Sequence, residues 1–155
     1  MKNSSLFFAK SGNLFVISEF LLRGWNVANS QIETNDDTFI VHDEKGTFRR
    51  IQVKTAESNG TKNKINARFR IPLHQLRNIG HVRLYYVFTV RHLAHWTKPL
   101  IIRQDYLLNL VETENLGTRG KENLNLTFTF SFEKVECQKI DLTQYLVDFT
   151  DFPQN

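Results

Sequence analysis

The sequence predicts an α/β fold in one domain, a central β-sheet with helices against it, and three observations support this. An apolar stretch of helical spacing, GNLFVISEFLLR at positions 12–23, ends on a glycine. Several strand-forming runs follow, led by TFIVH, RRIQVKTA, VRLYYVFTV and LNLTFTFSF. The chain has 155 residues, 41% of them hydrophobic, which suits one domain with a substantial core.

In the helix, Leu14, Ile17 and Leu21 recur on one side, and Phe15, Val16, Phe20 and Leu22 carry the apolar surface almost all round. Ser11 suits the N-cap, and Gly24 suits the left-handed residue that follows a helix. Residues 25–28 read as a short extended segment. Asn35-Asp36-Asp37 is turn-like and leads into a strand at 38–42, rich in residues that favour a pleated surface. Asp43-Glu44-Lys45-Gly46 reads as a hairpin connection to a second strand at 47–56, running back antiparallel. ESNGTKNK, at 57–64, is expected as a polar loop. INARFRIPL alternates as a strand stopped by Pro72, and 74–78 reads as a helical turn. VRLYYVFTV, at 82–90, is the most strand-like run and is expected near the centre of the sheet. A further strand is expected at 96–102. A helix follows at 104–114, with Tyr106, Leu107, Leu110 and Val111 on one side. LNLTFTFSF alternates strictly, with one buried face, and a short helix is expected around 145–149. No repeat, low-complexity tract or linker divides the chain.

Twenty Lys and Arg against sixteen Asp and Glu give a formal charge of +4 and a pI near 9.3. That sign admits a polyanionic partner such as nucleic acid without demanding one. Cys137 is the only cysteine, which excludes an intrachain disulfide and a cysteine-based zinc site within one chain, and fits a reducing compartment. MKNSSLFFAKSGNLF has no long apolar run closed by a cleavage site, and no run reaches about eighteen consecutive apolar residues. The expectation is a cytoplasmic protein with no membrane partner.

The chemistry is concentrated in RRIQVKTA. Residues two apart on a strand share a face, so Gln52 and Lys54 project together. An aspartate at the start of the neighbouring hairpin strand can lie beside them. Carboxylate and amide oxygens are hard ligands suited to Mg²⁺, which keeps several waters and shares its remaining coordination with phosphate oxygens. A lysine beside that ion can orient or deprotonate the attacking water and neutralise charge building on the phosphate. Asp…Gln-x-Lys is thus a coherent phosphodiester-cleaving set.

The ordered segments GNLFVISEFLLRGWNV, NDDTFIV and RRIQVKTA resemble the N-terminal core of the PD-(D/E)XK nucleases. They are most similar to the branch with Gln in place of the second acidic residue, seen in some homing endonucleases and related bacterial proteins. The resemblance covers roughly the first third of the chain. It implies a restriction-endonuclease-like fold, a central mixed β-sheet flanked by helices. It implies Asp37 as metal ligand, Gln52 as second ligand through its side-chain oxygen, and Lys54 as the catalytic lysine. Glu19 would be the helix carboxylate that supports the metal or a bound water. The implied activity is divalent-metal-dependent hydrolysis of DNA phosphodiester bonds, with Mg²⁺ (or Mn²⁺) as cofactor and DNA as partner. No proline precedes the aspartate, as is frequent in this branch. Asp36 is the competing ligand; Asp37 is preferred because it abuts the strand, while Asp36 would point to the other face.

Each of these residues also has a plainer reading. Glu19 and Arg23, four apart, suit a surface ion pair worth only tenths of a kcal/mol. Asn-Asp-Asp suits a turn, and Gln52 and Lys54 suit a solvated strand face. Arg50, beside Arg49, is a candidate phosphate contact. Lys62, Lys64, Arg68 and Arg70 make a basic patch able to follow a nucleic-acid backbone, against the alternative of an ordinary solvated face. His92 and His95 lack a neighbouring carboxylate or cysteine and, like His42, are expected in solvent. The rival function is a nuclease-fold protein that binds nucleic acid or a protein partner without cutting. A homodimer would supply the two sites that cutting two strands needs, whereas a monomer would point to nicking or binding.

Overall fold

The first helix, α1 (Ser4–Leu22), starts well before its expected cap. A computed structural model of the chain describes residues 4–29, 38–61 and 63–152. Ser11 lies inside the helix, its hydroxyl donating to the Phe8 carbonyl at 2.6 Å. The additional turns are held by a distant residue. Trp96 stacks on Phe15, with ring centroids 5.0 Å apart, and on Phe8 at 6.2 Å. The C-terminal end matches expectation. Gly24 adopts φ +79°, its N–H donates to the Leu21 carbonyl, and the Trp25 N–H donates to Phe20. The Trp25 ring then packs on Phe20 at 6.1 Å, closing the helix with an apolar contact. By length and composition α1 could cross a membrane; in the structure one face, Gly12, Val16, Ile17 and Phe20, is buried.

Strands β1 (Asn26–Asn29), β2 (Thr38–His42) and β3 (Phe48–Glu57) form an antiparallel series. The chain then leaves through β4 (Asn59–Thr61) and β5 (Lys64–Pro72), passes the short helix α2 (Leu73–Arg77), and returns as β6 (Leu84–His92). This long excursion lets β6 lie parallel to β3. On its other edge β6 takes β7 (His95–Trp96) and β8 (Leu100–Arg103), both antiparallel. Helix α3 (Gln104–Thr113) precedes β9 (Thr118–Arg119), β10 (Asn123–Ser131), β11 (Lys134–Cys137) and β12 (Ile140–Asp141). Two 3₁₀ turns, Thr143–Tyr145 and Phe149–Asp151, follow.

The result is an α/β fold with two sheets. The first is mixed, in the order β1-β2-β3-β6-β7 with β8 also on β6. The second is antiparallel, in the order β12-β11-β10-β5-β4 with β9 also on β10. One face of the first sheet is covered by α1 and by Phe149 and Phe152. Its other face packs on the second sheet together with α2 and α3, so that flanking layer is largely β-structure. β6 is buried on both faces from Leu84 to Val90, as its unbroken apolar run requires.

Three expectations change in detail. The short helix expected around 145–149 is instead the two 3₁₀ turns on either side of residues 146–148. The polar stretch 57–64 contains β4, where Gly60, at φ +127°, brings its Cα so close to the Lys64 carbonyl that a Cβ would sit 2.4 Å from it. The strand expected at 96–102 is two strands, interrupted before Leu100 at Pro99. The hairpin β11–β12 was not foreseen, because four and two residues are too short to display a period.

Candidate functional site

On β3, Ile51 and Val53 point toward α1, and Arg50, Gln52, Lys54 and Ala56 therefore point to the opposite face. Gln52 is 4% exposed and Lys54 half-buried. Their neighbours in register on β6 are Tyr86 and Phe88, both fully buried. An amide and an ammonium set against buried aromatic neighbours are costly unless they are bonded or used. Gln52 Nε2 donates to Gln75 Oε1 on α2 at 3.4 Å. α2 is in turn anchored by buried Gln104, whose Nε2 donates among the carbonyls of Gln75 (2.8 Å), Leu76 (3.1 Å) and Asn78 (3.2 Å). With its amide hydrogens turned to Gln75, Gln52 keeps Oε1 as the acceptor atom, the kind of hard oxygen that suits Mg²⁺. On β2, Thr38 is the register partner of Gln52. Asp36 and Asp37 lie outside the described residues, as does Lys62.

Glu19 is placed elsewhere. Its carboxylate accepts from Arg23 Nη1 at 2.7 Å, and Arg23 also donates to Asp148 at 3.2 Å and to Thr150 at 3.1 Å. The Arg23 guanidinium covers the Phe149 ring at 5.6 Å. Because α1 lies on the Ile51–Val53 side of the sheet, the structure does not bring Glu19 to the face carrying Gln52 and Lys54. The Thr150 backbone N–H, its hydroxyl and Arg23 together hold the Asp148 carboxyl below the usual carboxylate range.

No protein-family model, curated protein or solved structure matches the chain.

The basic residues separate into two places. Arg50 is half-buried on β3 and runs past Gly80, where a side chain would meet its guanidinium at 3.4 Å. Lys64, Arg68 and Arg70 alternate outward along β5, beside Thr127 and Asn125 of β10, while Ile65, Ala67, Phe69 and Ile71 face in. That outer surface lies across the second sheet from Gln52 and Lys54. Of the histidines expected in solvent, His92 ends β6 with Nδ1 2.6 Å from the Ser58 hydroxyl, and His42 is half-buried against Phe48. Among the described residues no three His, Cys, Asp or Glu side chains gather as a metal cluster.

A cavity of about 220 Å³ lies between β6, β8, α3 and the C-terminal turns, lined by Tyr85, Arg103, Tyr106 and Tyr145. Tyr85 is on the α1 face of β6, so this cavity is separate from the Gln52–Lys54 face. Its cation is already committed. Arg103 Nε and Nη2 donate to the two oxygens of Asp105 at 2.5 and 2.6 Å, and the guanidinium lies 3.9 Å from the Tyr106 ring centre.

Gln75 and Gln104 are the residues that motif reasoning missed. Gln104 opens α3 and is 2% exposed, although it sits at a strand–helix junction where a polar residue looks like an ordinary solvated one. Its partners lie 26 to 29 positions away, beyond any local pattern.

Proposed function

We propose that the chain is a divalent-metal-dependent endonuclease of the PD-(D/E)XK type, hydrolysing DNA phosphodiester bonds. The observation that carries this reading is the Gln52–Lys54 pair, aligned on one interior face of β3, with Gln52 opposite Thr38 at the start of β2. The helix, the antiparallel β1-β2-β3 series and the mixed sheet are consistent with a restriction-endonuclease-like fold. Asp37 and Gln52 Oε1 would hold Mg²⁺, which when bound would polarise the scissile phosphate and acidify a water. Lys54 is half-buried on the same face, where its ammonium would balance charge building on the phosphate and orient the attacking water. Gln75 accepts from the amide of Gln52, and Gln104 anchors the helix that carries Gln75. The net positive charge favours approach of a polyanion.

Supercoiled plasmid nicking with Mg²⁺ or Mn²⁺ tests the proposal. The wild-type chain should nick, and Lys54→Ala should lose at least ~100-fold in rate with an unchanged circular dichroism spectrum and melting midpoint. Equal rates for the two proteins would sink the assignment. A second reading, binding without cutting, is favoured by the commitment of the Glu19 carboxylate to Arg23. Plasmid retained in a mobility shift but left intact with either metal would support it.

A further inference from the structure

We infer that the cavity between β6, β8, α3 and the C-terminal turns is a binding site for a single nucleobase, carried by a free nucleoside or unstacked from a nucleic-acid strand. Its volume of about 220 Å³ bounds the occupant. A cavity of about 150 Å³ takes up benzene, whereas drug-sized ligands occupy roughly 300 Å³ or more. The space therefore suits one ring system with its substituents. The walls also suit a ring. Ile101, Val147 and Phe152 form an apolar side, and Tyr85, Tyr106 and Tyr145 add aromatic surface. Tyr85 is held edge-on against Phe152, with ring centroids 4.9 Å apart, so this wall is fixed by packing.

The polar groups select a base over a plain aromatic ring. Tyr85 is 7% exposed, and its hydroxyl has no hydrogen-bond partner among the described residues. Buried hydroxyls are ordinarily bonded, so this one, on the cavity wall, is available to an occupant. Arg103, the register partner of Tyr85, gives Nε and Nη2 to Asp105 and keeps Nη1 as a donor. Asp105 balances its charge, so the wall offers donors without requiring an anion. Acceptors come from two further lining residues. The Asp151 carboxylate has no cationic partner among the described residues, and the Gln144 amide both accepts and donates. Asp151 would repel a carboxylate ligand and Arg103 an ammonium, so neither sign of charge is favoured. A neutral flat ring with donors and acceptors along its edge answers this set, and a nucleobase has that edge. The inference does not rest on the nuclease reading, because Tyr85 lies on the α1 face of β6, away from Gln52 and Lys54.

Calorimetric titration of the full chain with adenosine, guanosine, cytidine and thymidine, each checked by saturation-transfer NMR, tests the proposal. At least one should bind, with a dissociation constant between ~10 µM and ~1 mM, as expected of so small a ligand. Tyr85→Phe removes the hydroxyl and keeps the ring. It should weaken that binding at least ~5-fold and leave the melting midpoint unchanged, since the hydroxyl has no protein partner to lose. Val147→Trp, at a half-buried wall position, fills the space and should abolish binding in a chain with an unchanged circular dichroism spectrum. A short single strand containing the preferred base, and the same strand made abasic there, separate the two sources. Displacement of the nucleoside by the intact strand alone assigns the site to an unstacked base. A nucleoside that stays bound in the presence of both strands assigns it to the free compound. Failure of all four nucleosides to bind overturns the inference, as does a Tyr85→Phe chain that binds as tightly as wild type. Phenol binding as tightly as the best nucleoside, or equal displacement by the abasic strand, overturns it too.

Discussion

Glu19 illustrates how one carboxylate can satisfy two descriptions in the sequence and only one set of contacts in the fold. In the structure it accepts from Arg23, which simultaneously binds Asp148 and Thr150 near the C-terminal turn. The pair is partly exposed, 23% and 26% for the two side chains, so its stabilisation is small, less than about 1 kcal/mol after solvent screening. Glu19→Gln should therefore lower the melting midpoint by a few degrees at most and leave plasmid nicking unchanged. Loss of nicking with the melt intact would return Glu19 to the chemistry. Gln52 is the contrasting case. Its alternation with Ile51 and Val53 was legible, but burial of that polar face was not, because the covering layer comes from residues far along the chain.

At the scale of elements, Gly12 sets how closely α1 approaches the sheet. A Cβ there would sit 2.0 Å from Thr55 Oγ1, on the strand that carries the candidate pair. Gly12→Ala should cost about 1–3 kcal/mol in thermal or urea unfolding through this overpacking, despite alanine's better helix propensity. Adding Thr55→Ala removes the two nearest atoms but leaves a Cβ at 2.9 Å, so it should recover part of the loss; a double variant no more stable than Gly12→Ala would show that the contact is not the cause. Local signals made several elements legible. Gly24 marked the helix end, Asp43 to Gly46 the β2–β3 hairpin, and the alternation of β5 and β10 their inward faces. What was illegible depended on distant partners. Trp96 contacts Phe8 in the turns that precede Ser11, and the pairing of β6 with both β7 and β8 divides what reads as one strand.

For the whole molecule, acid should erode stability. Hydrogen bonds from Arg103 hold the Asp105 carboxyl below the usual range, those from the Thr143 hydroxyl and N–H do so for Asp141, and that from the Thr150 N–H does so for Asp148. A carboxyl with a folded pKa below its unfolded value binds fewer protons in the native state. Its contribution is complete above the unfolded value of about 3.9 and is lost as pH falls through the folded one. The melting midpoint should decline below about pH 4, and one that stayed constant down to about pH 2 would contradict these assignments. Another consequence concerns biosynthesis. Phe20, near the beginning of the chain, is enclosed by Phe149 and Phe152, among the last residues described. Ribosomes add about 5–20 residues per second, so the helix waits on the order of ten seconds for the rings that cover it. During that interval β1 to β3 are already available to the helix, but Phe20 lacks the two rings that finally enclose it.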